Sequence, residues 1–255
     1  VKMLFYETDN LKTLRSVFLF LALFVTIDLA SAQIKSNTKP LNTGLNPKEE
    51  ITEAEKLLFL NKDFNNIETP KTLFYRYEGE GETISYNRKS IQIELKNNSD
   101  GFVLTGVSFE NKKRKPLKSI LNPESNPVIL YYLEYDILQM QRLTKGQPNY
   151  FRKRIRGALA EGPAISSEKK EINGKIITLK KFSIMPYATD PLRFSAGRSK
   201  YRRYSKKKYT FYTSNQIPGH LYSIEYEIPR RERKGNDEDF YGRETLIYVD
   251  KLPSN

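Results

Sequence analysis

The stretch at residues 91–109, IQIELKNNSDGFVLTGVSF, decides the fold class of this chain. Ile91, Ile93 and Leu95 alternate with Gln92, Glu94 and Lys96, the period-two pattern of a half-buried strand. Asn97-Asn98-Ser99-Asp100-Gly101 then supplies turn residues, and 102–109 is again apolar-rich, with looser alternation. Two such runs about a turn predict an antiparallel hairpin. Upstream, Leu73, Tyr75 and Tyr77 share one face of a strand that follows Pro70 and that Gly79 and Gly81 are expected to end. Downstream, Asn173-Gly174 is a two-residue turn into a strand over 175–185, and further strands are predicted at 208–212, 220–228 and 244–249.

Helical periodicity interrupts this pattern twice. Asn46-Pro47 followed by Glu49 and Glu50 reads as a helix start, and Ile51, Ala54, Leu57 and Leu58 form an apolar stripe to about Leu60. In the middle, Asn126-Pro127 precedes VILYYL (128–133), whose first residues suit a buried strand, although Leu130, Leu133, Ile137 and Met140 fit a helical face. The spacing predicts a helix over 129–143 and, after Gly146-Gln147-Pro148, a second over 149–159 with a Phe151, Ile155, Leu159 seam. The expected fold is therefore α+β: a strongly curved antiparallel sheet or open β-barrel of seven or more strands. It carries an N-terminal helix and a central helical hairpin inserted between two strand groups.

Ahead of these elements stands a segment that reads as an export signal. Lys12 and Arg15 precede an apolar run over 17–27, and Ala30-Ser31-Ala32 before Gln33 has the small residues of a cleavage site. The run is about half of the roughly 20 residues that a spanning helix needs. Residues 1–32 are thus expected to be a cleaved signal peptide, 33–46 a flexible leader and 47–255 a single domain. The product is expected to be periplasmic or secreted, soluble, and without a transmembrane span. The chain has no cysteine, so disulfide scaffolds and thiolate sites are excluded.

The formal net charge is +13. Residues 1–32 hold three bases (Lys2, Lys12, Arg15) and three acids (Glu7, Asp9, Asp28), so the surplus belongs to the remainder. Such a charge attracts polyanions. Outside the cytoplasm these are anionic lipid head groups, cell-wall polymers or acidic proteins, with nucleic acid the least expected. A general bias toward Lys, Asn and Ile is the plainer explanation. The most distinctive run is RSKYRRYSKKKYTFY (198–212), where Arg198, Lys200, Arg202, Arg203, Lys206, Lys207 and Lys208 interleave with tyrosines able to stack on rings or head groups. Its bland counterpart is a solvated loop running into an edge strand. Arg152 and Arg156, at i and i+4 of the second central helix, are further anion contacts, or else pair with Glu134 and Asp136 across the helical hairpin. Lys112-Lys113-Arg114-Lys115 reads as a bare connecting loop.

Catalytic groups are sparse. His220 is the only histidine and follows the turn Pro218-Gly219, with no acid near it in sequence to complete a triad. Glu134 and Asp136, two residues apart, fall on different faces of a helix. Asp237, Asp239 and Gly242 match part of a calcium loop, but Tyr241 and Tyr248 occupy the remaining ligand positions, so 230–241 reads as a charged hairpin loop. YEGEGE (77–82) lacks the residues of a phosphate-binding loop. No catalytic residue, metal site or cofactor is expected. Element order alone resembles that of the lipoprotein-carrier half-barrels, without a shared motif, and implies an apolar ligand beneath a curved sheet as the alternative to anion binding. A carboxylate-based hydrolase is the third possibility.

Overall fold

The hairpin read from residues 91–109 is the seed of a sheet that extends in both directions from it. The computed structural model describes residues 50–64, 67–81, 88–110, 113–191, 199–230 and 240–252, with Ser199 and Lys200 as backbone only. The described residues from Ile51 onward form one compact unit. The expected signal peptide, the leader, the helix start at Asn46-Pro47 and the calcium-like acids Asp237 and Asp239 lie outside the described residues.

In chain order the elements are α1 (Glu53–Phe59), β1 (Lys71–Gly81), β2 (Arg88–Asn98), β3 (Gly101–Glu110), β4 (Lys113–Leu121), α2 (Pro127–Thr144), α3 (Pro148–Ala160), β5 (Ser166–Ile172), β6 (Lys175–Ile184), α4 (Ser199–Tyr204), β7 (Lys208–Thr213), β8 (Leu221–Pro229) and β9 (Phe240–Val249). The nine described strands make one antiparallel sheet in the order β4-β3-β2-β1-β9-β8-β7-β6-β5. The fold is α+β and rich in sheet. β4 and β5 are free edges, so the sheet is open and does not close into a barrel.

Two meanders meet at the centre, where β1 pairs with β9 (Tyr75 opposite Tyr248, Tyr77 opposite Leu246). Rows of apolar side chains run across the strands on one face. Phe182, Phe211, Ile224 and Leu246 are successive partners across four of them. Phe182 and Phe211 stack with centroids 5.1 Å apart. β1 does not end at Gly79. Gly79 pairs with Glu244 and Gly81 with Gly242, and a Cβ on Gly81 would stand 2.8 Å from the Gly242 Cα, a closeness of backbones that only glycine permits.

The helices cover this apolar face. VILYYL belongs to α2, where Asn126 caps the helix by accepting the Val128 N–H at 3.1 Å. An 18-residue helix is about 27 Å long. Along it, Asn126 reaches Tyr75 of β1, Tyr132 reaches Glu244 of β9 and Asp136 reaches Tyr209 of β7. α2 thus carries the chain across the sheet, and α3 continues over β6, which delivers the chain to the far edge at β5.

Two further expectations need correction, and one strand was not expected. α1 begins at Glu53, not Pro47, because Thr52 and Glu55 form a reciprocal capping box, which leaves Ile51 exposed ahead of the helix. Residues 113–115 of the basic run are no bare loop, since Lys113, Arg114 and Lys115 are paired residues of β4, while Lys112 lies outside the described residues. β5, SSEKKEI, showed no strand pattern. Both missed strands are edges, where lysines and Pro116 discourage further pairing and where the alternating apolar signal is weakest.

Candidate functional site

The basic, tyrosine-rich run proves to be two different things. Its first part is α4, and β7 lies inside the sheet between β6 and β8, so the edge-strand reading is corrected. Tyr201, Tyr204 and Tyr209 are buried, and Tyr201 stacks on Phe151 of α3 with centroids 6.2 Å apart. Arg202, Arg203 and Lys206 are exposed, with Arg203 lying 4.2 Å over the Tyr241 ring and donating to its hydroxyl. Arg198 lies outside the described residues, and Lys200 is placed only as backbone of α4.

Lys207 is withdrawn from the surface set. It is 2% exposed, and its Nζ donates to Asp136 Oδ1 at 2.5 Å while standing 3.9 Å from the Tyr226 ring centre. Tyr209 donates to the other oxygen of Asp136. A second buried pair accompanies it: Arg88 donates to Glu244 and, at 2.8 Å, to the Tyr77 hydroxyl, with its guanidinium between the Tyr77 and Tyr135 rings. Two cations and two carboxylates therefore form an ionic layer between α2 and the sheet. Burial pushes Glu244 up to about 7, although Arg88 pulls the other way. Burial also lowers Lys207, against the opposing charge of Asp136.

α3 likewise divides its charges. Arg152 donates to both oxygens of Glu134 at 2.7 and 2.6 Å, as the hairpin-pairing expectation had it, but Asp136 is taken by Lys207 instead. Arg156 is half-buried one turn further on. Lys153 and Arg154 open elsewhere. With Lys208 they line a cleft of about 460 Å³ whose walls include Ala158, Ile184 and Met185. Arg154 spends two of its five N–H donors on the Pro186 carbonyl (2.9 Å) and Thr189 Oγ1 (3.0 Å). Lys208 Nζ lies 2.5 Å from Glu227 Oε1, and Lys153 is exposed. The unused signal in the sequence was the pairing of these bases with Gly157 and Ala158 on the same helical face, where small side chains leave a recess.

His220 has an acid partner after all, though a distant one. Its Nδ1 lies 3.0 Å from Asp63 Oδ1 and also contacts the Asn61 amide. Asp63 Oδ2 accepts the Asn126 N–H at 2.7 Å, and Asn126 Nδ2 donates to the Tyr75 hydroxyl and the Gly219 carbonyl, both at 2.8 Å. Burial pushes the Asp63 carboxyl up, against the hydrogen bonds and the His220 charge that lower it. Neither Glu134 nor Asp136 belongs to this cluster.

No family model matches the chain, and no curated protein matches it either. Among the described residues no group of three or more His, Asp or Glu is placed to hold a metal ion. No described helix is long and apolar enough to cross a membrane.

Proposed function

We propose that this chain is an exported, non-catalytic binding protein that engages carboxylate- or phosphate-bearing material of the cell envelope through the cleft between α3 and β6–β7. The observation that supports this reading is the convergence of Lys153 and Arg154 from a helix and Lys208 from a strand on one recess. Exposed Met185 lies beside them, so the recess offers apolar surface next to its cations. An anionic group beside a short apolar segment fits such a lining. Arg202, Arg203 and Lys206 are further exposed positive charges of the chain. An apolar cargo beneath the sheet is less favoured, because the sheet face under α2 carries buried rings and the Arg88–Glu244 and Lys207–Asp136 pairs. Export rests on the sequence pattern of residues 12–32 and predicts Gln33 as the first residue of the protein recovered outside the cell.

The test uses vesicles with and without anionic phospholipid, and poly-glutamate, each at two salt concentrations. Salt-sensitive binding to vesicles alone would identify a head group, and binding to poly-glutamate alone an acidic polymer. Gly157→Leu should block the recess without harming the fold, since a Cβ there meets no atom within 4 Å. Unchanged binding by Gly157→Leu, or none by the parent chain, would overturn the cleft as the site.

A further inference from the structure

At the far end of β7 from Lys208, the loop Ser214 to His220 faces the segment after α1 across a second recess of about 490 Å³. Asp63 and His220 both line it. Their side chains are 1% and 14% exposed, so they are held in the wall and not displayed on the surface.

The wall is rigidly built. Asn126 uses its backbone N–H, its amide N–H groups and its amide oxygen at once, tying Asp63, β1, the Gly219 carbonyl and the first turn of α2 into one node. Gly219 and His220 are both left-handed (φ +72° and +58°), and a Cβ on Gly219 would meet Leu73 Cδ1 at 2.8 Å. The loop is locked by Ser214 Oγ donating to the Thr178 carbonyl at 2.7 Å and by the Thr178 N–H donating to Gln216 Oε1 at 3.0 Å. A non-glycine residue held left-handed in a cavity wall is the kind of local strain that surrounding structure maintains at functional positions.

His220 Nδ1 faces a carboxylate and an amide, with Asp63 Oδ1 at 3.0 Å and the Asn61 side chain beside it. Asp63 Oδ1, although close to the ring, accepts no well-aligned hydrogen bond among the described residues. Glu68 adds acceptors, while Lys71 and Asn215 add donors, and Ile217 supplies an apolar patch.

We propose that this recess is a binding site for a small polyhydroxylated ligand of the saccharide class, whose hydroxyls bond to the His220 ring, Glu68 and Lys71. A hydroxyl both donates and accepts, which matches a wall offering both in nearly balanced charge. A lipid chain would leave these groups unpaired, and a strongly anionic ligand would face Asp63 and Glu68. The volume lies within the range of small-molecule sites and suits one or two sugar rings. This site is separate from the basic cleft and stands or falls without it.

His220 is the only histidine of the chain, so an untagged preparation has a single imidazole to follow by NMR without assignment. The probes are cellobiose, maltose and chitobiose, each at about 10 mM, tenfold above a Kd of about 1 mM. At least one is expected to shift the imidazole signal saturably. The double variant Glu68→Ala, Lys71→Ala, which leaves the Asn126 node intact, is expected to weaken binding about tenfold by calorimetry. No shift with any of the three disaccharides overturns the proposal, as does a shift with unchanged affinity in the double variant.

Discussion

Lys207 and Lys208 are neighbours in the chain and opposites in the structure. Lys207 lies in the ionic layer beneath α2, paired with Asp136 and enclosed by Tyr209 and Tyr226. Lys208 lies at the margin of an open cleft, with its Nζ on Glu227 and solvent beside it. Successive residues of an extended chain point to opposite faces, so one residue step exchanges interior for surface. The two regions use the same side chains for different ends. In the layer each charge is held by a partner and has become part of the scaffold. At the cleft the charges stay partly exposed to solvent, Lys208 even where it pairs with Glu227.

The strongest test of this contrast is Lys207→Met, which leaves Asp136 buried without its cation. Breaking a buried pair from one side costs about 3–5 kcal/mol, read as a lowered urea midpoint, and the double variant Lys207→Met, Asp136→Leu should recover much of it. A loss no larger than that of a surface lysine would erase the distinction between the regions.

The next effect is on pH dependence. The folded-state pKa of Glu244 lies near 7, above its usual 4.5, so between those values the folded protein binds more protons than the unfolded chain. Stability attributable to this group is therefore lost as pH rises through that window, by about 1–3 kcal/mol, and Glu244→Gln should flatten the profile. Urea midpoints for parent and variant at about pH 5 and about pH 8 measure it. Parallel profiles would mean that Arg88 holds Glu244 ionised throughout.

Arg152 tests the intermediate case. Its bidentate contact with Glu134 is partly exposed, so Arg152→Ala should cost about 1 kcal/mol or less. The smallest effect on stability belongs to Lys208→Gln, within about 0.5 kcal/mol, because the pair with Glu227 is solvated. The same substitution should weaken binding of the anionic probe severalfold. A variant that loses stability but not binding would place Lys208 with Lys207 and sharpen the boundary between layer and cleft.

Much of the fold was legible because its signals are local. The hairpin of residues 91–109 and the Asn173-Gly174 turn announce themselves through alternation and turn chemistry. The seam Phe151, Ile155, Leu159 does so through helical period, and all three residues are buried as expected. α1 starts later than expected because Asn46-Pro47 and the Thr52–Glu55 box are both plausible starts, and the box is anchored by Thr52 Oγ1 donating to the Leu159 carbonyl of α3, a contact with no local trace. The edges β4 and β5 escaped notice because a strand paired on one side and bathed on the other has little apolar pattern to show.

The candidate sites were less legible, for a related reason. Asn61 and His220 meet across 159 positions, and the recess at α3 requires a helix, a loop and a strand end to converge. By itself the sequence determined the α+β class, the hairpins, the helical pair, the absence of thiol chemistry and the surplus of positive charge. Each of these is a matter of composition or of spacing within a few residues. Tertiary structure alone decided which lysine is buried, which acid stands beside the sole histidine and which bases share a cleft. Burial and pairing are set by partners that the chain brings together only when the sheet assembles, and no local pattern encodes them.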